Sequence, residues 1–471
     1  MANGGNIDTK VLFITETIGK HSNRPWLDAP PPLPALTHTI LLRGSCNGLP
    51  TYNALLNHAA RVPYATLLQA AALVQPHDLA NLQFTSGSTG APKAAMLSHY
   101  NITNNARFIA SRMALGERDI LCCPPPLFHC FGLVLGLLTI MSVGGAIVFP
   151  SETFDASAVR RAIESENPTA LHGVPAMFTS LLALPESVSF TSSLRTGIIA
   201  GAPVPQSLMR ELEGRLGMKE YTSSYGLTEA SPTCFNAYTH TPLRKRLETV
   251  GKIMPHISAK IINPATGAMV PVGEKGELCI AGYALQIGYW RNAEKTDEVM
   301  REDADGVRWL HTGDEATFDH EGYCRITGRY KDIVIRGGEN VYPGEVEERV
   351  VAMEGVRAAQ VVGVRSERLG EELVCFVELE EGEEGGKMMV LPQGVGGLAA
   401  QGEEEAVALG EKDVRDWCGK VLARWKVPRW VFFVKEGEWP VTASGKVLKP
   451  ELRKRAEVLV TERQKVTGET R

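Results

Sequence analysis

A chain of 471 residues is too long for one ordinary hydrophobic core, so two or more domains are expected. Hydrophobic residues make up 44% and charged residues 22%, which fits a globular protein. A net charge of -5 lacks the basic excess that nucleic acid or an anionic membrane would demand.

Residues 1–80 are weakly patterned. Short buried strands are expected at residues 11–14 (VLFI) and 39–42 (TILL), with a stiff proline-rich loop at residues 30–34 between them. No basic start followed by an apolar core marks a secretory signal, and the last residues are not a peroxisomal address. The run at residues 131–149 (FGLVLGLLTIMSVGGAIVF) is long enough for a membrane span. Ser142, Val143, Gly144 and Gly145 break it, so the expectation is a helix, a turn and a buried strand in a soluble protein.

Further along, residues 195–200 predict a strand and residues 206–216 an amphipathic helix. After Arg329 the character changes. Helices are expected near 344–353, 413–422 and the lysine-rich end, and strands at 361–364, 373–379 and 430–434. Residues 380–411, rich in Gly and Glu, read as a surface insertion. The nine cysteines are odd in number and scattered. Cys122, Cys123 and Cys130 lie closest together but lack metal-ligand spacing, so idle thiols in a reducing cytoplasm are expected.

Several short motifs carry chemistry. Thr85-Ser86-Gly87-Ser88-Thr89-Gly90-Ala91-Pro92-Lys93 gathers hydroxyls, close-approach glycines and a lysine, a set that can cradle phosphate oxygens. Pro92 excludes a Walker A loop, which needs glycine there. Ser224-Tyr225-Gly226-Leu227-Thr228-Glu229 offers an aromatic face for a base and a carboxylate for a cation, although a capped helix start has the same composition. Asp314 in Thr312-Gly313-Asp314, with Arg329, can fix two ribose hydroxyls. Lys331 lies just after Arg329, where the character of the chain changes. Gly337-Gly338-Glu339 follows a strand, and Lys446 ends Thr442-Ala443-Ser444-Gly445-Lys446.

Taken together, residues 81–455 resemble the adenylate-forming superfamily. The wording of Pro126-Leu127-Phe128-His129-Cys130-Phe131-Gly132 and Gly337-Gly338-Glu339-Asn340 is most similar to medium-chain fatty acyl-CoA synthetases. One departure is Ala94, where the family usually has glycine. The resemblance implies an α/β fold. Residues 1–328 would form a large multi-sheet adenylation domain, residues 329–332 a hinge at Lys331, and residues 333–471 a small mobile α+β domain. It implies ATP, Mg²⁺ and CoA, with an acid–CoA ligation through acyl-AMP. The phosphate loop, Gly201, Ala202, Pro203, Ser224, Tyr225, Asp314 and Arg329 would hold the nucleotide. Glu229 and Thr85 would hold the metal, and Thr228 the α-phosphate. His129, Val174, Met177 and Gly226 would line the acyl pocket. Gly337, Gly338, Glu339 and Lys426 would meet the pantetheine arm, and Lys446 would drive adenylation. The acceptor could also be an acyl carrier protein, and a nucleotide-binding pseudoenzyme is the non-catalytic alternative. The phosphate loop also falls unusually early for the family. An exposed apolar patch on the large domain, beside residues 1–80, and self-association are therefore expected.

Overall fold

The computed structural model describes residues 8–19, 21–46, 48–85, 92–185, 193–201, 204–380, 409–435, 437–442 and 446–467. Two strands, Val11–Thr15 and His38–Arg43, pair in parallel, and Ile14, Leu27 and Leu41 close a small cluster beneath them. The helices Tyr52–Ala59 and Tyr64–Leu73 follow. The first is capped by Thr51, whose hydroxyl accepts from the Ala54 amide, and the second starts after Pro63. Neither buries a residue.

The strands Leu79–Thr85 and Lys93–Ser98 form an antiparallel hairpin in which Thr85 faces Lys93. Residues 86–91, the glycine-rich heart of the expected phosphate loop, lie outside the described residues. Ser98 and Asn101 form a reciprocal cap that starts the helix His99–Arg112. Its inward face carries Ile102, Ala106, Ile109 and Ala110, at helical spacing. Its buried polar residues are satisfied across the core. Asn105 exchanges hydrogen bonds with the backbone of Thr233, and Arg112 donates to the carbonyls of Asn236 and Ile253.

The apolar run folds as expected into a helix, a turn and a strand. Its helix is wide-wound over Phe131–Leu138 and continues at Thr139–Met141; the strand is Ala146–Val148. Among the described residues, no helix is long and apolar enough to cross a membrane. The strand expected over 195–200 is shorter, Ile198–Ile199, with single bridges at Thr196 and Ile199. Gly197 abuts the Leu171 carbonyl so closely that a Cβ would stand 1.9 Å from it, which interrupts an even ladder. The helix Gln206–Leu216 matches its expected bounds.

A second sheet runs Ile257–Ile262, Gly276–Gly282, Arg308–Phe318 and Met300–Glu302, with Cys324–Arg329 also pairing Arg308–Phe318. After the turn Tyr330–Asp332 a separate sheet forms, ordered Glu339–Val341, Val334–Arg336, Gly370–Leu379 and Val356–Ser366, with Trp430–Val434 parallel to Gly370–Leu379. Both faces of Gly370–Leu379 are covered, which explains its unbroken apolar run. Leu373, Cys375 and Val377 pack under Pro343–Val351 and Glu411–Gly419, while Val374 and Phe376 pack under Lys449–Thr467. Most of the Gly/Glu-rich segment, residues 381–408, lies outside the described residues.

Exposed large apolar side chains lie within residues 1–80 themselves, a different place from the patch expected beside that segment. Tyr64, Leu67, Leu68 and Leu73 are all more than half exposed. Exposed apolar side chains of this size favour association. Light scattering of the full chain should therefore show oligomers. Changing Leu67, Leu68 and Leu73 together to Gln should shift the population to smaller species without lowering the melting temperature. A monomeric parent at high concentration would refute this.

Candidate active site

The site begins where the sheet of Arg308–Phe318 meets the sheet that holds the strand Thr222–Gly226. Asp314 stands on Arg308–Phe318, directly opposite Arg329 on the neighbouring strand. Arg329 Nε donates to Asp314 Oδ1 at 2.6 Å, and the Tyr225 hydroxyl, from the other sheet, donates to Oδ2 at 2.6 Å. Burial would lower the Arg329 pKa, but the Asp314 carboxylate outweighs it and raises it. Burial first, and then Asp314, hold the Tyr225 phenol well above its ordinary range, so it stays a donor. Just upstream, Gly313 takes a positive φ of 69°, and its amide donates to Glu277 Oε1 at 3.2 Å.

Glu229 lies in the short turn Thr228–Ala230 that follows the strand Thr222–Gly226. Its Oε1 accepts from the Tyr289 hydroxyl at 2.7 Å. Tyr289 in turn lies under the Lys93 ammonium, 5.2 Å from ring centroid to nitrogen. Lys93, Tyr289 and Glu229 thus form one column beside the mouth of the hairpin. Gly226 has a steric reason of its own: a Cβ there would lie 1.8 Å from the Pro232 carbonyl oxygen. Ser224 is buried, and its hydroxyl donates to the Phe235 carbonyl. Of the predicted nucleotide residues, Ala202 and Pro203 lie outside the described residues.

His129 sits in the loop before the wide helix. Its Nδ1 accepts from the Phe131 amide at 3.1 Å. Gln83 anchors the same loop through the Phe128 carbonyl, and the Cys130 thiol points to Gln83 Oε1 at 3.7 Å. Burial lowers the His129 pKa, and the Lys446 charge lowers it further. Val174 and Met177 are buried in the same core as Phe131 and Ala230. A Cβ on Gly201 would touch Val174, so the segments that carry these two residues adjoin. Behind them His172 is fully buried. Its Nδ1 accepts from the Ile198 amide and its Nε2 meets the Leu135 carbonyl. Burial drops its pKa to about 4, so it is a neutral strut rather than a base.

Lys446 comes from the far end of the chain. Its amide donates to the Thr442 hydroxyl, and residues 443–445 between them lie outside the described residues. Lys446 is exposed as a residue, yet enough protein lies around its ammonium to desolvate it. That desolvation lowers its pKa, and Arg329 lowers it further, against the opposing pull of Asp314 and Asp332. Lys446 therefore shares one electrostatic neighbourhood with His129, Asp314 and Arg329.

The other predicted residues sit apart from this cluster. Gly337 and Gly338 both take positive φ, 61° and 85°, and close a two-residue hairpin in which Arg336 faces Glu339. The sequence placed this segment after a strand and ahead of the helix near 344–353; a second short strand, Glu339–Val341, intervenes before the helix. Lys426 pairs with Glu345 at 2.7 Å, and Arg336 holds its turn through the carbonyls of Trp425 and Val427. Lys331 lies in the exposed turn Tyr330–Asp332. All nine cysteines are free thiols, and burial pushes Cys122, Cys123 and Cys130 to about 12, as expected for idle groups.

Sequence reading missed Tyr289, Gln83 and Glu277. Each acts through a partner 34 to 60 positions away, placed by strand register. The one local signal was the aromatic pair Tyr289-Trp290 after Gly288.

Comparison with known proteins agrees with this geometry. Residues 9–290 match the family described as AMP-binding enzyme, and residues 345–446 match the AMP-binding enzyme C-terminal domain. The acyl-CoA ligase sidI of Aspergillus fumigatus is 51% identical over 462 residues, covering 96% of this chain and 74% of that protein. The mitochondrial medium-chain acyl-CoA ligase ACSF2 of Danio rerio is 40% identical over 383 residues, covering 81% of this chain and 58% of that protein. The ATP-bound RpMatB-BxBclM chimera B1 superimposes with a TM-score of 0.76 at 28% identity, covering 96% of this chain and 80% of its own. The chain belongs to the AMP-binding enzyme family, the adenylate-forming superfamily, and groups there with the acid–CoA ligases that use ATP.

Proposed function

We propose that this ligase activates a fatty or related aliphatic acid, with the residues of the Asp314 cluster in named roles and two bodies that turn about Lys331. The observation that carries the reading is the buried Asp314 carboxylate held by Arg329 and Tyr225, with the charges of Asp314 and Arg329 acting on Lys446 of the C-terminal body. In the first half-reaction an acid carboxylate oxygen attacks the α-phosphorus of ATP. The bond to the β-phosphate oxygen breaks, and pyrophosphate leaves with its electron pair. Lys446 stabilises negative charge that builds on the carboxylate and α-phosphate oxygens, which makes its contribution largest in the transition state. Asp314 and Arg329 hold the ribose, the Tyr225 ring lies along the adenine, and Thr228 meets the α-phosphate.

Mg²⁺ fits the residues present. Glu229 offers a hard oxygen: Oε1 is taken by Tyr289, and among the described residues no hydrogen bond reaches Oε2. Glu229, with the Thr85 hydroxyl, would hold the ion, which when bound would offset phosphate charge. Val174, Met177 and Phe131 supply apolar walls for an acyl chain, and His129 stands at their edge as a gate.

In the second half-reaction the C-terminal body turns. The CoA sulfur then attacks the acyl carbonyl, the carbon–oxygen bond to AMP breaks, and AMP leaves. The glycine hairpin Gly337-Gly338, with Glu339 and Lys426 near it, would border the pantetheine arm. An acyl carrier protein is the competing acceptor.

Acid-dependent AMP release, measured across a panel of aliphatic and aryl acids with and without CoA, tests the whole reading. Release should depend on an aliphatic acid and rise with CoA. Release that ignores free CoA but requires a carrier protein would replace the acceptor, and no pyrophosphate exchange with any acid would refute the roles.

Lys446→Ala should slow adenylation by about 10²–10³, while thioester formation from supplied acyl-AMP survives. Equal loss of both would remove Lys446 from its role. The lowered Lys446 pKa also sets a pH signature. Its charge is lost as pH rises, beginning below the ordinary lysine value of about 10.4. Pyrophosphate exchange should therefore show an alkaline fall earlier than an exposed lysine would give, and Lys446→Arg should move that fall upward. An unmoved limb would assign it elsewhere.

Lys331→Pro should leave adenylation standing and collapse thioesterification, because proline fixes φ at the turn. An unchanged ratio of the two rates would place the pivot at another residue.

A further inference from the structure

Three potential ligands converge beside the ribose segment, on residues that the proposed reaction does not use. Glu277 and Cys279 lie on the strand Gly276–Gly282, and His311 lies opposite Cys279 on Arg308–Phe318. His311 Nδ1 stands 3.0 Å from Glu277 Oε2 and 3.6 Å from the Cys279 sulfur, and all three ligand atoms lie within 4.8 Å of one another. Both partners aim at the same ring nitrogen. A single nitrogen carries one proton or one lone pair, so it cannot serve a carboxylate and a thiol fully at once. A dication between the three would satisfy all of them.

The distances suit tetrahedral zinc. Bonds of about 2.0–2.1 Å to nitrogen, about 2.0–2.2 Å to oxygen and about 2.3 Å to sulfur put tetrahedral neighbours about 3.4 Å (N to O) and about 3.6 Å (N to S) apart. The observed 3.0 and 3.6 Å lie within a few tenths of an ångström of these values. The donor chemistry also selects. A thiolate with an imidazole favours zinc over magnesium or calcium, which take oxygen ligands. Cys279 is fully buried, whereas Glu277 and His311 are each 15% exposed at the side chain, which leaves an approach from solvent. Glu277 Oε1 is already oriented by the Gly313 amide, the outer hydrogen bond that a ligating carboxylate needs. The nearby cations are Lys260 and Arg301. Lys260 is committed to Asp303 and to the face of Trp309.

We propose that Glu277, Cys279 and His311 form a Zn²⁺ site with a fourth position open to water. Binding converts the Cys279 thiol to thiolate, releases one proton to solvent and replaces the His311–Glu277 hydrogen bond. Through Glu277 and Gly313 the ion braces the strand crossing that carries Asp314.

The test uses the full chain, stripped with a chelator and titrated with Zn²⁺ against a chromophoric competitor, then with Co²⁺ followed by absorption. One zinc per chain is expected, together with a cobalt–thiolate charge-transfer band. Cys279→Ser and His311→Gln should each weaken zinc by at least about 10²-fold, since losing even an outer partner of a ligand costs about 10–100-fold. Cys279→Ser should also abolish the thiolate band, while Cys418→Ser, in the C-terminal body, keeps both signals. If Cys279→Ser does not fold, the zinc affinity of His311→Gln decides. Zinc binding equal in parent and variant, or a cobalt spectrum without a thiolate band, overturns the site.

Discussion

Everything at the centre of this molecule depends on one buried carboxylate. Asp314 is almost without solvent, and a bare charge there would be prohibitively costly. Arg329 and Tyr225 remove that cost with two hydrogen bonds of 2.6 Å each. The two partners come from different sheets, so the same bonds that make the charge tolerable also fix the angle between the sheets. The pair is also asymmetric: Asp314 is sealed, while the Arg329 side chain is 40% exposed and faces the cleft. Its guanidinium therefore has both a fixed position and an open side toward a ligand.

The supports around Asp314 follow from that need. Gly313 turns with a φ that suits glycine and gives its amide to Glu277, while the Thr312 hydroxyl accepts from the Asp314 amide and donates to the Leu278 carbonyl. The short Thr-Gly-Asp motif is thus a list of backbone requirements as much as of chemical groups. On the other side, Tyr289 does for Glu229 what Tyr225 does for Asp314. A phenol held neutral by burial donates to a carboxylate, and here the same ring also lies under Lys93. Both acidic groups of the site are oriented by tyrosines that the chain supplies from distant positions.

How much of this was legible in the sequence depended on range. Periodicity gave the helix Gln206–Leu216 its bounds, and the break at residues 142–145 correctly split the long apolar run. The unbroken apolar run LVCFV, residues 373–377, is explained by burial on both faces, a tertiary fact that a strand expectation accommodates without predicting. Motif residues Tyr225, Asp314 and Arg329 were chosen from their types and order, and the fold gathers them. Tyr289, Gln83 and the Glu277–Cys279–His311 group were invisible for a common reason. Their partners are set by cross-strand register, and register leaves no mark in local spacing. The cysteines show this most clearly: the near neighbours Cys122, Cys123 and Cys130 are idle, while Cys279 gains one partner from the neighbouring strand and one from two residues back along its own.

On the proposed reading, in which the C-terminal body turns, the electrostatics of the site supply a reason for that motion. Lys446 and Arg329 oppose each other across the site, and burial adds to the penalty on Lys446. Without a polyanion this arrangement is disfavoured, since two cations share a poorly solvated space. A triphosphate brings several negative charges, so its binding free energy includes the relief of that repulsion and favours the arrangement in which Lys446 is inserted. Departure of pyrophosphate takes most of that charge away and leaves one phosphate between two cations. The preference for insertion falls at the moment when the first half-reaction is complete. On the proposed reading, the charge pattern of Asp314, Arg329 and Lys446 therefore does more than hold a nucleotide. It makes the position of the C-terminal body depend on how many phosphates the site contains.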